Sequence, residues 1–230
     1  GVRLVGSEMC IRDRTKIITV SIVFLAVVSL HIFGIIFSEK LAFITKPFLM
    51  TILLVIYLVS VNKPNFWFVS ALFFSFWGDV LLLFKAQFFV FGLVSFLIAH
   101  ILYIKLTIAF LKKTSYQKIA LISLPFVVFL ISFLSLLIDN LGEMQVPVII
   151  YGIVISSFGV VALLNYIQKK TTESLWLFIG VVIFITSDSL IAINKFFAPN
   201  EMYQLLIMIT YIVAQYLICK AFIVKASHQE

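Results

Sequence analysis

Long apolar runs separated by short polar clusters occupy the chain from residue 17 nearly to its end. Each run is roughly 17 to 24 residues, enough to cross a hydrocarbon layer of about 30 Å as an α-helix. The pattern predicts helices near 17–37, 45–61, 66–84, 88–111, 117–138, 146–167, 174–193 and 203–224. The interruptions are chemically credible: Ser38-Glu39-Lys40, Asn62-Lys63-Pro64-Asn65, Lys112-Lys113-Thr114-Ser115, Asp139-Asn140-Leu141-Gly142-Glu143, Lys169-Lys170-Thr171-Thr172-Glu173 and Pro199-Asn200-Glu201. The shortest break, Lys85-Ala86-Gln87, carries the thinnest signal. Eight spans are expected, or seven if one hairpin is re-entrant.

Composition agrees with the pattern. Of 230 residues, 63% are hydrophobic and 12% charged, and mean hydropathy is +1.19. A soluble domain carries about 25% charged residues, so the fold class is an all-α, polytopic membrane bundle. The net charge of +7 therefore does not point to nucleic acid, since lysines cluster at helix ends where they report orientation. With eight spans, Lys16, Lys63, Lys112, Lys113, Lys118, Lys169, Lys170, Lys220 and Lys225 share one side, against Lys40, Lys46, Lys85 and Lys195 on the other. By the positive-inside tendency both termini face the cytoplasm, and a bacterial inner membrane is the expected location. Cys10 and Cys219 are too few for a disulfide framework or a zinc ligand set.

The three arginines, Arg3, Arg12 and Arg14, all precede residue 15, and the remaining basic residues are all lysines. That segregation marks 1–14 as a non-native or disordered N-terminal segment, the alternative being a basic cytoplasmic tail. Residues 15–225 are expected to form one transmembrane domain, followed by a tail at 226–230. A four-plus-four parallel pseudo-repeat is a further expectation. Asp79 followed by His100, and Asp188 followed by Tyr211, have separations of 21 and 23 residues in hairpins running the same way.

Asp79 and Asp188 are the candidates for chemistry. A carboxylate in a membrane helix costs roughly 3 kcal/mol on insertion scales and ordinarily faces an interior cavity. The predicted helix ends place both acids at matching depth on the non-cytoplasmic side. On the last helix Gln204, Met208, Tyr211 and Gln215 share one face. Lys46 with Pro47 is expected to open helix two on the same side, and Ser75 and His100 complete the set. Plainer roles compete with each of these. One acid would be explained structurally by pairing with Lys46 or Ser75, and His100 by a place in the core. Tyr211 and Gln215 would be explained as helix-bridging hydrogen bonders, and Lys46 as an interfacial anchor. The small-residue stripe Gly152, Ser156, Gly159 reads as close helix packing, and His31 and His228 as unremarkable. No metal or cofactor is expected, because the histidine- or cysteine-rich set that zinc needs is missing, and no G-x-S-x-G elbow is present. Two carboxyl groups that share one proton would supply a general acid and a general base side by side.

The chain resembles the lysoplasmalogenase family, also called the YhhN-like or transmembrane-protein-86 family. The resemblance is carried by Lys46-Pro47, Phe74-Ser75-Phe76-Trp77-Gly78-Asp79-Val80-Leu81-Leu82-Leu83, Gly92 through Tyr103, Ser187-Asp188-Ser189-Leu190-Ile191-Ala192 and Thr210 through Gln215. It implies an eight-helix membrane protein that hydrolyses the vinyl-ether bond of a lysophospholipid, releasing a fatty aldehyde and a glycerophospho-base. It further implies Asp79 and Asp188 as the catalytic acids; the chemistry would then use His100 or Tyr211 to orient the water or the second acid, and Lys46 to bind the lipid phosphate as a point charge. Two other readings stay open on the sequence: a proton-coupled lipid or small-molecule transporter, and a non-catalytic lipid-binding scaffold.

Overall fold

The computed structural model describes residues Val2 to Ser227, without the side chains of residues 2–14, Lys85 and Ala86. His228 lies outside the described residues. Eight α-helices follow in order: α1 (Val2–Phe37), α2 (Glu39–Ser60), α3 (Phe66–Leu83), α4 (Lys85–Ile108), α5 (Tyr116–Leu137), α6 (Gln145–Lys169), α7 (Thr172–Phe196) and α8 (Glu201–Ser227). All eight are long and apolar enough to cross a membrane, and no strand occurs among the described residues. The chain is an all-α integral membrane protein.

Local chemistry explains most of the boundaries. The Asn65 side chain caps α3 by accepting from the Trp67 and Phe68 amides at 2.9 and 3.3 Å. Its own amide donates to the Tyr57 hydroxyl at 3.0 Å, fixing the α2–α3 turn. A reciprocal box between Thr171 and Ser174 starts α7. The α4–α5 loop is clamped by Gln168, which accepts from the Lys112 amide at 2.8 Å and donates to the Lys112 carbonyl at 3.0 Å.

The sequence reading of α2 is corrected. The chain reverses at the single extended residue Ser38, with φ −160° and ψ 97°, and α2 begins at Glu39 rather than near 45. Lys46-Pro47 therefore lies inside α2 and does not open it. The proline is an interior residue that removes one backbone hydrogen bond, not the first-turn proline the sequence suggested. So tight a reversal needs Gly34, where a Cβ would come within 2.6 Å of the Ala42 backbone nitrogen. The thin break near 85 is also resolved: Phe84 leaves helical geometry, Phe88 kinks the start of α4, and a full span follows.

Helices α2, α3, α4, α6, α7 and α8 pack each against the next, with α8 returning to α2. Helix α1 lies on α2 and α8, and α5 lies on α6 and α7. These neighbour relations follow a four-plus-four correspondence: α2–α3 matches α6–α7, and α8–α2 matches α4–α6. The two tightest hairpins are each pinned by a serine that donates to a carbonyl of the facing helix. Ser95 reaches Phe74 at 2.8 Å, and Ser187 reaches Ile207 at 3.0 Å. In an apolar medium such bonds contribute roughly 0.6 kcal/mol each and fix register. The stripe on α6 packs as expected: a Cβ on Gly159 would stand 2.3 Å from the Phe126 ring, and one on Gly152 2.7 Å from Leu130.

Candidate functional site

Asp79 sits four residues before the end of α3 and is 2% exposed. Its Oδ2 accepts a hydrogen bond from the Tyr211 hydroxyl of α8 at 2.7 Å, and its Oδ1 lies 3.9 Å from Lys46 Nζ on α2. The plainer explanation for one acid, pairing with Lys46, is thus the geometry found for Asp79. One turn beyond Tyr211, Gln215 accepts from the Tyr103 hydroxyl at 3.1 Å and donates to Ser75 Oγ at 3.2 Å. Ser75, Tyr103 and Gln215 are all fully buried. A continuous polar seam from α3, α4 and α8 therefore holds the helices that position Asp79. Next to the acid, Gly78 lets the Phe96 ring lie against α3, where a Cβ would meet the ring at 2.6 Å.

Asp188, eight residues before the end of α7, has a different setting. Its Oδ2 accepts from the Tyr151 hydroxyl of α6 at 2.5 Å. Neither acid takes its hydrogen bond from the other; each is held by its own phenol. The expected direct sharing of a proton between carboxyl groups is not the arrangement found. The matching depth is also revised. Counted along the helix axes at 1.5 Å per residue, Asp79 is about 6 Å and Asp188 about 12 Å from its helix end. The difference arises because α7 continues past 193 to Phe196.

Aromatic rings stand between the two acid–phenol pairs. Phe96 and Phe184 contact the Tyr211 ring edge-on at 5.8 and 5.6 Å. Phe184 also meets the His100 ring at 4.7 Å, and His100 meets Tyr151 at 5.6 Å. His100 is fully buried, and neither of its ring nitrogens makes a hydrogen bond. The Phe96 backbone one turn earlier is the polar group nearest in effect to the ring, and a buried imidazole so poorly partnered calls for a functional or hydration explanation. By position in the four-plus-four arrangement, Lys46, Asp79 and Tyr211 correspond to Tyr151, Asp188 and His100.

Two apolar clefts converge on the second pair. One runs between α3, α4, α6 and α7 past Leu82, Phe89, Phe96 and Phe196. The other runs between α5, α6 and α7 past Phe129, Leu130 and Phe133. Val148, Tyr151, Asp188 and Ala192 line both. Asp188 is therefore reached from both clefts, whereas Asp79 lies behind the aromatic wall with Lys46 beside it.

Of the expected site residues, Asp79, Lys46, Ser75, Tyr211 and Gln215 form one cluster, while His100 packs against Tyr151, the partner of Asp188. Sequence reasoning missed Tyr151, the direct partner of Asp188, and the part Tyr103 plays in the seam. Nothing local distinguishes Tyr151 from the other tyrosines in apolar runs; only its spacing on the face Tyr151, Ile155, Phe158, Ala162, all buried, marks it as inward. Lys105, the one lysine that falls within the interior of a predicted span, lies 3.2 Å over the Trp67 ring. Among the described residues, no three His, Cys, Asp or Glu side chains gather as a metal-binding group.

A model described as the YhhN family matches residues 41–222, a stretch that contains both acids, both phenols and all of the seam. The chain is also 29% identical over 169 residues to proteins named lysoplasmalogenase from Mycobacterium bovis (strain ATCC BAA-935 / AF2122/97) and Mycobacterium tuberculosis (strain CDC 1551 / Oshkosh). The match takes in 70% of this chain and spans 62% of the length of each of these relatives. No solved structure matches.

Proposed function

The chain belongs to the YhhN family, and from that premise we propose that it is a membrane-embedded hydrolase that cleaves the vinyl-ether bond of a single-chain phospholipid. The observation that carries the reading is that two apolar clefts share a partly buried carboxyl–phenol pair, Asp188 with Tyr151, in their walls. An apolar chain reaches the acid from within the bilayer, and few other polar groups line its path. The name shared by the mycobacterial relatives supports the same reading.

The chemistry follows from the geometry. Hydrolysis of a vinyl ether begins with a proton added to the carbon β to oxygen, which leaves an oxocarbenium ion. Water then adds to the carbon bonded to oxygen, and the hemiacetal collapses to an aldehyde and an alcohol. Asp188 is the proton donor in this scheme, standing in the clefts with a phenol and no cation beside it. Asp79, which has Lys46 as a counter-ion, is the ionised member. A carboxylate held by a counter-ion and a phenol keeps its charge inside the bundle, and that fixed charge stabilises the developing cation. His100, with both nitrogens free of hydrogen bonds, orients the attacking water. The products are a fatty aldehyde and a glycerophospho-base, with the bilayer and the lysophospholipid as the only partners needed.

Purified protein in liposomes tests the proposal. Aldehyde should be released from lysoplasmalogen without any ion gradient, and Asp79→Asn and Asp188→Asn should each abolish release while still inserting. A transporter would give flux but no aldehyde. Retained release in both variants would remove the acids from the mechanism.

A further inference from the structure

Lys46, the basic residue expected to meet the phosphate of a lipid, is engaged with Asp79 inside the bundle. Another cation stands at a cleft mouth. Lys195 is seven residues past Asp188 on α7, and its side chain is exposed. Its Nζ lies 4.1 Å from the Phe89 ring and 5.7 Å from the Phe196 ring. Both rings line the cleft between α3, α4, α6 and α7 that ends at Asp188. A separation of seven residues is two helical turns, so Lys195 and Asp188 share a face, about 10 Å apart along the axis.

We propose that Lys195 binds the phosphate of a single-chain phospholipid, whose ether lies at Asp188 and whose chain continues into the cleft between α5, α6 and α7. The inference rests on the hydrolase reading and adds the substrate's orientation and charge requirement to it. The lengths agree. From phosphorus to the ether oxygen of a glycerophospholipid there are five bonds of about 1.5 Å, which span roughly 6 Å when zigzagged. An ammonium-to-phosphorus contact adds about 4 Å, close to the axial separation of Lys195 and Asp188. Charge and polarity agree as well. The mouth holds a cation on aromatic rims, the middle holds the acid and its phenol, and the far cleft is walled by Phe129, Leu130, Phe133 and Leu134. Lysine meets phosphate as a flexible point charge, and the ring faces keep its ammonium over the opening until an anion arrives.

Binding separates this inference from catalysis. The probes are a saturated 1-O-alkyl lysophospholipid, which has no vinyl ether to cleave, and the matching 1-O-alkyl glycerol, which has no phosphate. Each is titrated calorimetrically into the full-length protein in nanodiscs. Lys195→Ala should weaken the phosphate-bearing ligand about tenfold, a loss in the range of one charged hydrogen bond, and leave the alkyl glycerol unchanged. Lys195→Arg should restore most of the loss. Equal affinity of wild type and Lys195→Ala for the phosphate ligand would overturn the assignment, as would an equal loss for both ligands. Aldehyde release from lysoplasmalogen is measured on the same preparations. Its absence in wild type, with the phosphate-dependent binding intact, would refute the hydrolase reading and leave the lipid site standing.

Discussion

Replacing Tyr151 by phenylalanine removes one oxygen atom from the site and little else. The ring stays packed edge-on against His100 at 5.6 Å, so no cavity opens and the apolar walls of both clefts persist. The Tyr151–Asp188 hydrogen bond, 2.5 Å long, is lost. Hydrogen bonds to a charged or proton-sharing carboxyl contribute about 1.5 to 3 kcal/mol. If that bond orients Asp188 for proton transfer, its loss lowers kcat by about 10- to 150-fold. Because the phenol acts on the acid and not on the lipid chain, KM should change by less than about threefold. The assay is aldehyde release from lysoplasmalogen in nanodiscs, coupled to a dehydrogenase, with thermal unfolding followed in parallel. Tyr216→Phe is the control: that phenol is 40% exposed on α8 and its ring stacks on Phe24. A Tyr151→Phe enzyme that unfolds at the wild-type temperature and turns over within threefold of wild type would refute the role given to the Asp188–Tyr151 pair.

Three further outcomes are expected. Lys46→Met should destabilise the protein by about 3 kcal/mol, at the low end for a broken buried pair because the contact is 3.9 Å long; Lys46→Met with Asp79→Asn should recover much of that loss in thermal unfolding. Gly78→Ala should cost about 1 to 3 kcal/mol by overpacking, since its Cβ would meet the Phe96 ring at 2.6 Å, and Phe96→Leu should relieve the strain. His100→Phe should hold stability within about 1.5 kcal/mol, as similar volumes exchange and His100 bonds no other side chain; aldehyde release should nevertheless fall, and unchanged turnover would return His100 to the core.

The spans were legible in the sequence because the bilayer imposes one length scale on every helix, and hydrophobic runs report it directly. Asn65 and Thr171 marked real helix starts because short polar side chains cap by local bonds. Pro47 misled for the opposite reason. Whether a proline begins a helix or sits inside one depends on what precedes it, and the reversal at Ser38 depends on the close approach of Gly34 to Ala42 across the hairpin. The two aspartates stood out because charge is costly in an apolar run. Their partners did not stand out in the same way. Tyr211 was found by its helical spacing, whereas Tyr151 needs the contact of α6 with α7, a fact about three-dimensional neighbours that no single segment contains. For Lys46 the sequence left three roles open, pairing with an acid, anchoring at the interface or contacting phosphate; the early start of α2 sets it inside the helix, where it meets Asp79.

The shared wall of the two clefts has a consequence for selectivity. Any protein dissolved in a bilayer is surrounded by two-tailed phospholipids at overwhelming excess, any of which can present a headgroup at the rim. If one lipid occupies both clefts, as proposed above, it must enter beside one set of helices, bend at Tyr151 and continue beside another, a path that admits a thread, not a fork. Diacyl neighbours would be turned away by their second tail before any atom of the ester or ether linkage was inspected, so discrimination against the most abundant competitor would require no dedicated recognition residue.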